Sequence, residues 1–419
     1  MVVDSSVPIE SQTIEAGQVP VVMMELLTGS KFEGGRSAGI FTADDLINIL
    51  QYVRKAMQLP QSLEQFTKDI GSNSTDIPGL EPQDIIDLYQ KITNHAQRWT
   101  SVQNLVKEQA SALKFGSGKI VDTGDDVIEC INQMNISEQM RNIKDSTVTI
   151  PISEEDTESQ QELSEIIQEL REICLKEQER THKVLTAVRD YKTEISGGTL
   201  SNKTTVTGLE PAIADKKNRA KKADLGAEII KLQEDIDSLE KEINQLGKDY
   251  DKYVGLVFTA LPAVFVSGGL LVAAFAITGG IFGDQAEKVR KSRNSKIQEQ
   301  KEKSEALKKK KLVQGILSDF ATQFTDIGMR LIDAQKALEH LDFVWNDIIA
   351  NIELSADEWN KVRDSASLKT FLRKFKKIVE PWKIVGDMSA KLSNVFDQAI
   401  DEFKNTYPPI EESKKTYGS

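Results

Sequence analysis

An elongated all-α protein is the fold the sequence predicts, and three observations carry it. Breakers are few: Gly (25) and Pro (11) together make roughly 9% of the 419 residues, against an average near 12%. Apolar residues recur at three- and four-residue steps over long stretches. Charged residues at 28% with aromatics at 6% suit helices with narrow apolar seams better than sandwiches or α/β sheets. The length admits two or three domains, and 39% hydrophobic content is enough to bury a core.

The first helix opens at Thr42, where Thr42 and Asp45 form a T-x-x-D cap before Leu46, Ile49, Leu50, Val53 and Met57. Residues 60–79 read as a polar loop. Gly79-Leu80-Glu81-Pro82 then places proline in the first turn of a second helix, where its missing N–H costs nothing. That helix runs from Ile85 through Tyr89, Trp99, Val106, Leu113, Ile120 and Val127 to Met134, with Gln103, Ser117 and Gly124 as weak links. Residues 135–153 read as a loop. The rhythm resumes from Leu163 through Leu170, Val184 and Val188 to Ile195. Ser196 to Leu209 is a linker that closes on a second start of the same kind, Gly208-Leu209-Glu210-Pro211.

Leu225, Ile229, Leu232, Ile236, Leu239, Ile243, Leu246, Tyr250 and Tyr253 alternate strictly by four and three, the a/d seam of a coiled coil. It leads into residues 254–282, which contain no charge. Helix signal resumes near Asp284 and continues without proline to about Ile352, first charge-rich and then, from Val313, densely apolar. Ser355 and Glu358 predict a further cap, Pro381 a last helix, and Pro408-Pro409 the end of the folded part.

Lengths give an architecture. The seam from Val313 to Ile352 is about 60 Å long at about 1.5 Å per residue, matching the helix over 154–195, so these two lie side by side. The coiled-coil seam has no comparable neighbour except the charge-rich arm after Asp284. The two arms carry opposite charge, so they pair antiparallel as a two-stranded stalk, with Lys308 to Lys311 as a solvated face. The predicted division is a flexible segment over 1–38, a helical tail bundle from 39–211 plus 313–407, and a stalk from 212–253 plus 284–312. A hydrophobic, membrane-interacting helical hairpin over 254–283 forms the tip, and 408–419 is a flexible tail.

The candidate membrane-insertion residues are Leu256, Val257, Phe258, Leu261, Val264, Phe265, Val266, Leu270, Leu271, Val272, Phe275, Ile277, Ile281 and Phe282. Hinge or turn roles fall to Pro262, Gly268, Gly269, Gly279 and Gly280. Three readings compete. A single spanning helix would put the two arms on opposite sides of a bilayer and forbid the stalk. A hairpin broken near Ser267-Gly268-Gly269 keeps both arms on one side, with limbs too short to cross a hydrocarbon core of about 30 Å unaided. A buried core hairpin in a water-soluble head is the third, although no other segment near the tip is apolar enough to cover it. If half of these side chains become newly buried in lipid, the gain is roughly 10–20 kcal/mol before ordering costs, more than a single myristoyl chain provides.

Other chemistry is scarce. A net charge of -12 argues against a general nucleic-acid binder. Cys130 and Cys174 are too few for a disulfide scaffold or a cysteine-based zinc site, and His95, His182 and His340 lie far apart in the chain. Gly116-Ser117-Gly118-Lys119 lacks the upstream glycine and the following Ser/Thr of a phosphate loop, and it interrupts a helix. No nucleophile or metalloprotease motif occurs. The expectation is no catalytic residue, no cofactor, no metal site and no enzyme, with Trp99, Trp345, Trp359 and Trp382 as bundle packing. The first residues carry no conventional secretory signal.

Several stretches resemble the A component of the α-xenorhabdolysin family of bacterial binary α-helical pore-forming toxins. They are Gly39-Ile40-Phe41-Thr42 with Asp45-Leu46-Ile47, Tyr52-Val53-Arg54-Lys55, both Gly-Leu-Glu-Pro starts, Asn94-His95-Ala96, Asp249-Tyr250-Asp251-Lys252 and Gly280-Ile281-Phe282-Gly283. His340-Leu341-Asp342-Phe343 with Trp345, and Pro381-Trp382 with Val385-Gly386-Asp387, extend the likeness over about residues 30 to 405. The resemblance implies a secreted cytotoxin or haemolysin with a hydrophobic foot that binds host-cell membrane lipids. It also implies assembly with a B component into a hetero-oligomeric lytic pore, the B component lining the channel and the A component supporting it. A membrane-tethered structural coiled coil, permanently embedded through the apolar run, is the alternative from a different class.

Overall fold

The computed structural model describes residues 12–15, 18, 20–21, 24–25, 41–70, 78–142, 148–221, 227–259, 264–267, 270–275, 281–310 and 312–407. The helices are α1 (Ala43–Ala56), α2 (Leu63–Ile70), α3 (Pro82–Gln133), α4 (Asn135–Asn142), α5 (Thr157–Ser196) and α6 (Leu209–Lys221), followed by α7 (Ala227–Thr259), α8 (Ile281–Lys310), α9 (Leu312–Trp359), α10 (Ser365–Val379) and α11 (Pro381–Thr406). Five short strands are β1 (Gln12–Glu15), β2 (Gly198–Thr199), β3 (Thr205–Val206), β4 (Val264–Ser267) and β5 (Leu270–Phe275).

Local chemistry sets most helix starts. The Thr42 amide donates to Asp45 Oδ2 at 2.8 Å and the Asp45 amide to Thr42 Oγ1 at 2.9 Å, a reciprocal cap on α1. Pro82 and Pro381 sit in the first turns of α3 and α11. Before α6, β2 and β3 pair antiparallel and the chain turns through Gly208 at φ 87°. A Cβ there would lie 2.3 Å from the Gly197 nitrogen, so both the backbone conformation and the space require glycine.

The bundle is built on α3, α5 and α9. Along α5 and α9 the contacts descend on one helix as they rise on the other: Arg171 with Glu353, Gln178 with Asn346, His182 with Asp342 and Arg189 with Glu339. The two helices of matched length are therefore antiparallel neighbours. Trp99, Trp345, Trp359 and Trp382 are all buried, Trp345 and Trp382 stacked at 5.1 Å. His95 lies between Tyr52 and Tyr191. Its Nε2 is 3.1 Å from the Tyr191 carbonyl oxygen, so it donates there, and Nδ1 accepts from the Tyr52 hydroxyl at 2.8 Å. Burial lowers its pKa to about 4 and keeps the ring neutral. The sequence Gly116 to Lys119 lies inside α3, and Cys130 and Cys174 are free thiols.

Four expectations are corrected. Residues 60–79 contain α2, whose Leu63, Phe66 and Ile70 are helically spaced, with Phe66 buried. Residues 135–153 contain α4, whose first amides, of Asn135 and Ile136, donate to the Asp156 carboxylate. Ser355 is no cap: α9 runs through it, and its hydroxyl donates to the Asn351 carbonyl one turn back. The cap is Asp364, which accepts from the Ala366 and Ser367 amides at the start of α10. Finally, Asp284 to Ile352 is not one helix. α8 and α9 are antiparallel, with Ser304 beside Thr322, Lys301 beside Asp326 and Arg293 beside Asp333. The nearest glycine, Gly315, lies inside the first turn of α9, and no proline marks this reversal. It follows Lys308, Lys309 and Lys310, cations where the end of a helix favours them and where mutual repulsion opposes further winding.

Gly124 of α3 is a close-approach site: a Cβ would lie 2.3 Å from Val379 Cγ1 on α10. Gly124→Ala should cost about 1–3 kcal/mol by overpacking, measured by urea unfolding. Combining it with Val379→Ala should make the two costs less than additive; strict additivity would refute the contact.

Candidate membrane-interacting tip and its docking seam

Of the predicted insertion residues, Leu256, Val257 and Phe258 lie in the last turns of α7, and Ile281 and Phe282 begin α8. Val264, Phe265 and Val266 form β4, and Leu270, Leu271, Val272 and Phe275 belong to β5. Leu261, Ile277 and all the predicted hinge residues (Pro262, Gly268, Gly269, Gly279, Gly280) lie outside the described residues. The helical hairpin expected here is corrected: the described centre of the run is an antiparallel strand pair, Val264 opposite Ala273, Phe265 opposite Val272, Val266 opposite Leu271 and Ser267 opposite Leu270. Branched and aromatic residues at Val264, Phe265, Val266, Val272 and Phe275 fit a pleated strand better than a helix. The amino-terminal strand β1 completes a three-stranded sheet in the order β1-β5-β4, with Gln12 opposite Phe275 and Glu15 opposite Val272.

The flanking helices pair as a coiled coil of opposite chain direction. Asp235 meets Lys303 at 2.9 Å, Glu242 meets Lys296 at 3.0 Å, Ile243 packs with Ile297, and the Arg293 guanidinium stands 5.2 Å from the Tyr250 ring centre. The pair is not an isolated two-stranded stalk, however. Its α8 arm lies along α9, because the fold-back described above gives it a second neighbour.

That second interface is polar. On α8, Ile297 packs on Ile243 and Gln300 donates to the Ile236 carbonyl at 3.4 Å, both of α7, while the buried Arg293 and Ser304 meet α9. Facing them, α9 buries Ser318, Thr322, Asp326 and Asp333. Ser304 and Thr322 hydroxyls are 3.2 Å apart, Lys301 Nζ is 3.1 Å from Asp326, Arg293 is 3.7 Å from Asp333, and Ser318 donates to Gln233 of α7 at 3.2 Å.

Arg330 anchors the seam to the bundle. It bonds Asp326 at 2.8 Å, Asp45 at 2.6 Å and Asp44 at 2.8 Å, so the capping carboxylate of α1 also neutralises a buried guanidinium. Burial opposes the Arg330 charge, but the Asp326, Asp45 and Asp44 carboxylates outweigh it and push its pKa up. Burial likewise works against ionised Asp326, and Arg330 with Lys301 outweighs it, holding that carboxyl below its usual range. Lys55 adds a tie from α1 to Asp319 at 3.0 Å. None of these polar contacts was identified from the sequence, although Asp319, Asp326 and Asp333 recur every seven residues, a spacing that places them on one face.

Neither a protein-family model nor a curated protein matches the chain. Solved structures do. YaxA from Yersinia enterocolitica is 35% identical, the match covering 88% of this chain and 100% of YaxA at a TM-score of 0.50. The XaxAB pore complex from Xenorhabdus nematophila contains a chain 36% identical, covering 87% of this chain and 100% of that one at a TM-score of 0.46. SmhA of the tripartite α-pore-forming toxin Smh from Serratia marcescens, at 13% identity, 94% and 97% coverage and a TM-score of 0.51, shares the fold alone. Long antiparallel helices carrying an uncharged run thus have the architecture of an α-helical pore-forming toxin. The identity to YaxA across that protein's whole length goes further: the chain belongs to the α-xenorhabdolysin family of binary pore-forming toxins, as an A component.

Removing Arg330 leaves three carboxylates without their shared cation, so Arg330→Ala should lose about 3–5 kcal/mol in urea unfolding; a loss below about 1 kcal/mol would show that the seam carries little. A second prediction concerns pH. Burial raises the Asp347 pKa from 3.8 to about 7, against the opposing hydrogen bond from Asn351. The native state therefore holds a proton that the unfolded chain releases, and this group's effect on stability worsens as pH rises through that window. Asp347→Asn should raise Tm at pH 8 and change it much less at pH 5; equal shifts at both would contradict the assignment.

Proposed function

We propose that this chain is the A component of a secreted bacterial binary cytotoxin. In this reading it binds the target-cell membrane through residues 254–282 and assembles with a B component into a lytic pore. One observation carries the proposal: a chain 35% identical to YaxA over 100% of YaxA holds an uncharged, strongly apolar run between the two arms of a coiled coil. The related XaxAB structure is by its own description a pore complex, which supports a partner chain here as well. The tip division at 254–283 and the insertion roles of its residues belong to the same proposal.

Physical constraints shape the insertion step. Among the described residues no helix is long and apolar enough to cross a membrane. β5 has 6 residues, short of the roughly 9–11 that a spanning strand needs. A three-stranded open sheet also leaves edge amides and carbonyls unpaired, which the hydrocarbon core does not tolerate. Entry therefore requires the run to leave this sheet, become helical, or stop within one leaflet. Both arms remain on the same side of the bilayer.

The test is Leu271→Asp combined with Phe275→Asp. Liposome binding should disappear while the far-ultraviolet circular dichroism stays that of the parent, and red-cell lysis with the partner chain should go with it. Undiminished binding by the double variant would remove the run from the mechanism.

A further inference from the structure

Away from the tip, the bundle carries two helix faces of opposite charge that do not meet each other. α10 holds Lys369, Arg373, Lys374, Lys376 and Lys377 and no acidic residue, in a chain whose net charge is -12. Its apolar side, with Leu368, Phe371, Phe375 and Ile378, is buried against the bundle. Lys369 and Arg373 are exposed and Lys376 is half-buried. Glu358 holds Lys374 at 2.8 Å, whereas Lys369, Arg373 and Lys376 have no ion-pair partner among the described residues.

The complement lies on α5. Glu158, Glu162, Glu165, Glu169 and Glu172 are all exposed and recur at steps of four and three, one stripe about 21 Å long. Like charges at these steps repel along a helix, and among the described residues no cation pairs with any of the five. The Trp359 indole donates to the Gln160 carbonyl at 3.1 Å, so the end of α9, with α10 after it, stands at the same end of the bundle as this stripe. α10 nevertheless packs on α3, α4, α9 and α11, which leaves its cations and the glutamates on separate surfaces. Lys369, Arg373 and Lys376 repeat the same steps of four and three, so the two rows match in spacing as well as in sign.

We propose that the basic face of α10 in one copy of this chain docks on the glutamate stripe of α5 in a second copy. The two surfaces differ, so the contact is head-to-tail and repeats from copy to copy. Exposed ion pairs are weak one at a time and are screened by salt. Such a contact serves copies that are already concentrated, as on a shared membrane surface. That last step rests on the function proposed above; the match of the two faces does not.

The test is cross-linking with a water-soluble carbodiimide, which joins a lysine to a carboxylate it touches. Isotope-labelled and unlabelled copies are mixed, in concentrated low-salt solution and on vesicles of red-cell lipid composition with the partner chain. Mass spectrometry should find Lys369 or Lys376 joined to the peptide of Glu158 to Glu172 with one label in each half, several-fold less at high salt. Links confined to single copies, or running from these lysines to the partner chain instead, would overturn the docking. Mixed links in solution but none on vesicles would count against the membrane role alone.

Charge reversal supplies a second readout. One variant carries Lys369→Glu, Arg373→Glu and Lys376→Glu, the other Glu162→Lys, Glu165→Lys and Glu169→Lys. Each alone should lyse red cells with the partner chain at least about tenfold less than the parent, because both of its faces then have one sign. Mixed together, the two variants should recover lysis to within about threefold, since each reversed face meets the opposite sign on its neighbour. Recovery also shows that both variants fold. Full lysis by either variant alone, or no recovery on mixing, would sink the proposal; a parent that fails to lyse cells would count against the proposed function instead, and the cross-links in solution would still decide the docking.

Discussion

A buried guanidinium cannot be left unpaired, and Arg330 makes that constraint felt across the molecule. Three carboxylates on two helices surround it, one of them the residue that caps α1 and another the partner of Lys301 on α8. Removing charges from water is costly, and the cost is recovered only while every partner stays in place. The start of α1, the middle of α9 and the last third of α8 are thereby tied to one set of interactions. Geometry that would otherwise depend on many weak apolar contacts depends here on a few strong, directional ones.

The apolar run faces the opposite problem. In water its backbone must find partners, and pairing β5 with β4 on one side and β1 on the other satisfies both edges of the central strand. In lipid the same sheet fails, because its outer edges remain open. Under the insertion proposed above, one sequence would serve two solvents with two backbone arrangements. The residues suit that demand: branched and aromatic side chains favour strands, and Ala260, Ala263, Ala273, Ala274 and Ala276 lower the cost of a helix.

What could be read from the sequence follows the same division. The seam from Ile236 to Tyr250, the proline starts at Pro82 and Pro381, the Thr42–Asp45 cap and the pairing of α5 with α9 rest on apolar periodicity or on backbone chemistry, and both are visible in a string of residues. The reversal between α8 and α9 was hidden because no proline announces it and Gly315, the nearest glycine, lies within the apolar rhythm of α9. The contact of α8 with α9 was hidden for a related reason: Arg293, Lys301 and Ser304 are polar, and a search for apolar repeats passes over them. Short amphipathic pieces such as α2 and α4 carry too few turns for periodicity to register. At the tip, a short apolar run is ambiguous between strand and helix; length favoured the helix there, while the pairing partner, β1, lies some 250 residues away in the chain.

A polar docking seam also answers a question that an apolar one could not. An arm that swings away from a hydrophobic groove leaves two greasy surfaces, which compete with the tip for lipid and adhere to other molecules. Lys301, Ser304, Thr322 and Asp326 present no such greasy surface, because each can exchange its partner for water. Acid is a poor release signal for such a seam, because the cations beside Asp326 keep its carboxyl ionised below the usual range. Lipid burial of the run, roughly 10–20 kcal/mol at the upper end, exceeds what a handful of charge-assisted hydrogen bonds contribute at roughly 1.5–3 kcal/mol each. Under the insertion proposed above, that difference would favour a lipid-bound arrangement of the run only where lipid is present.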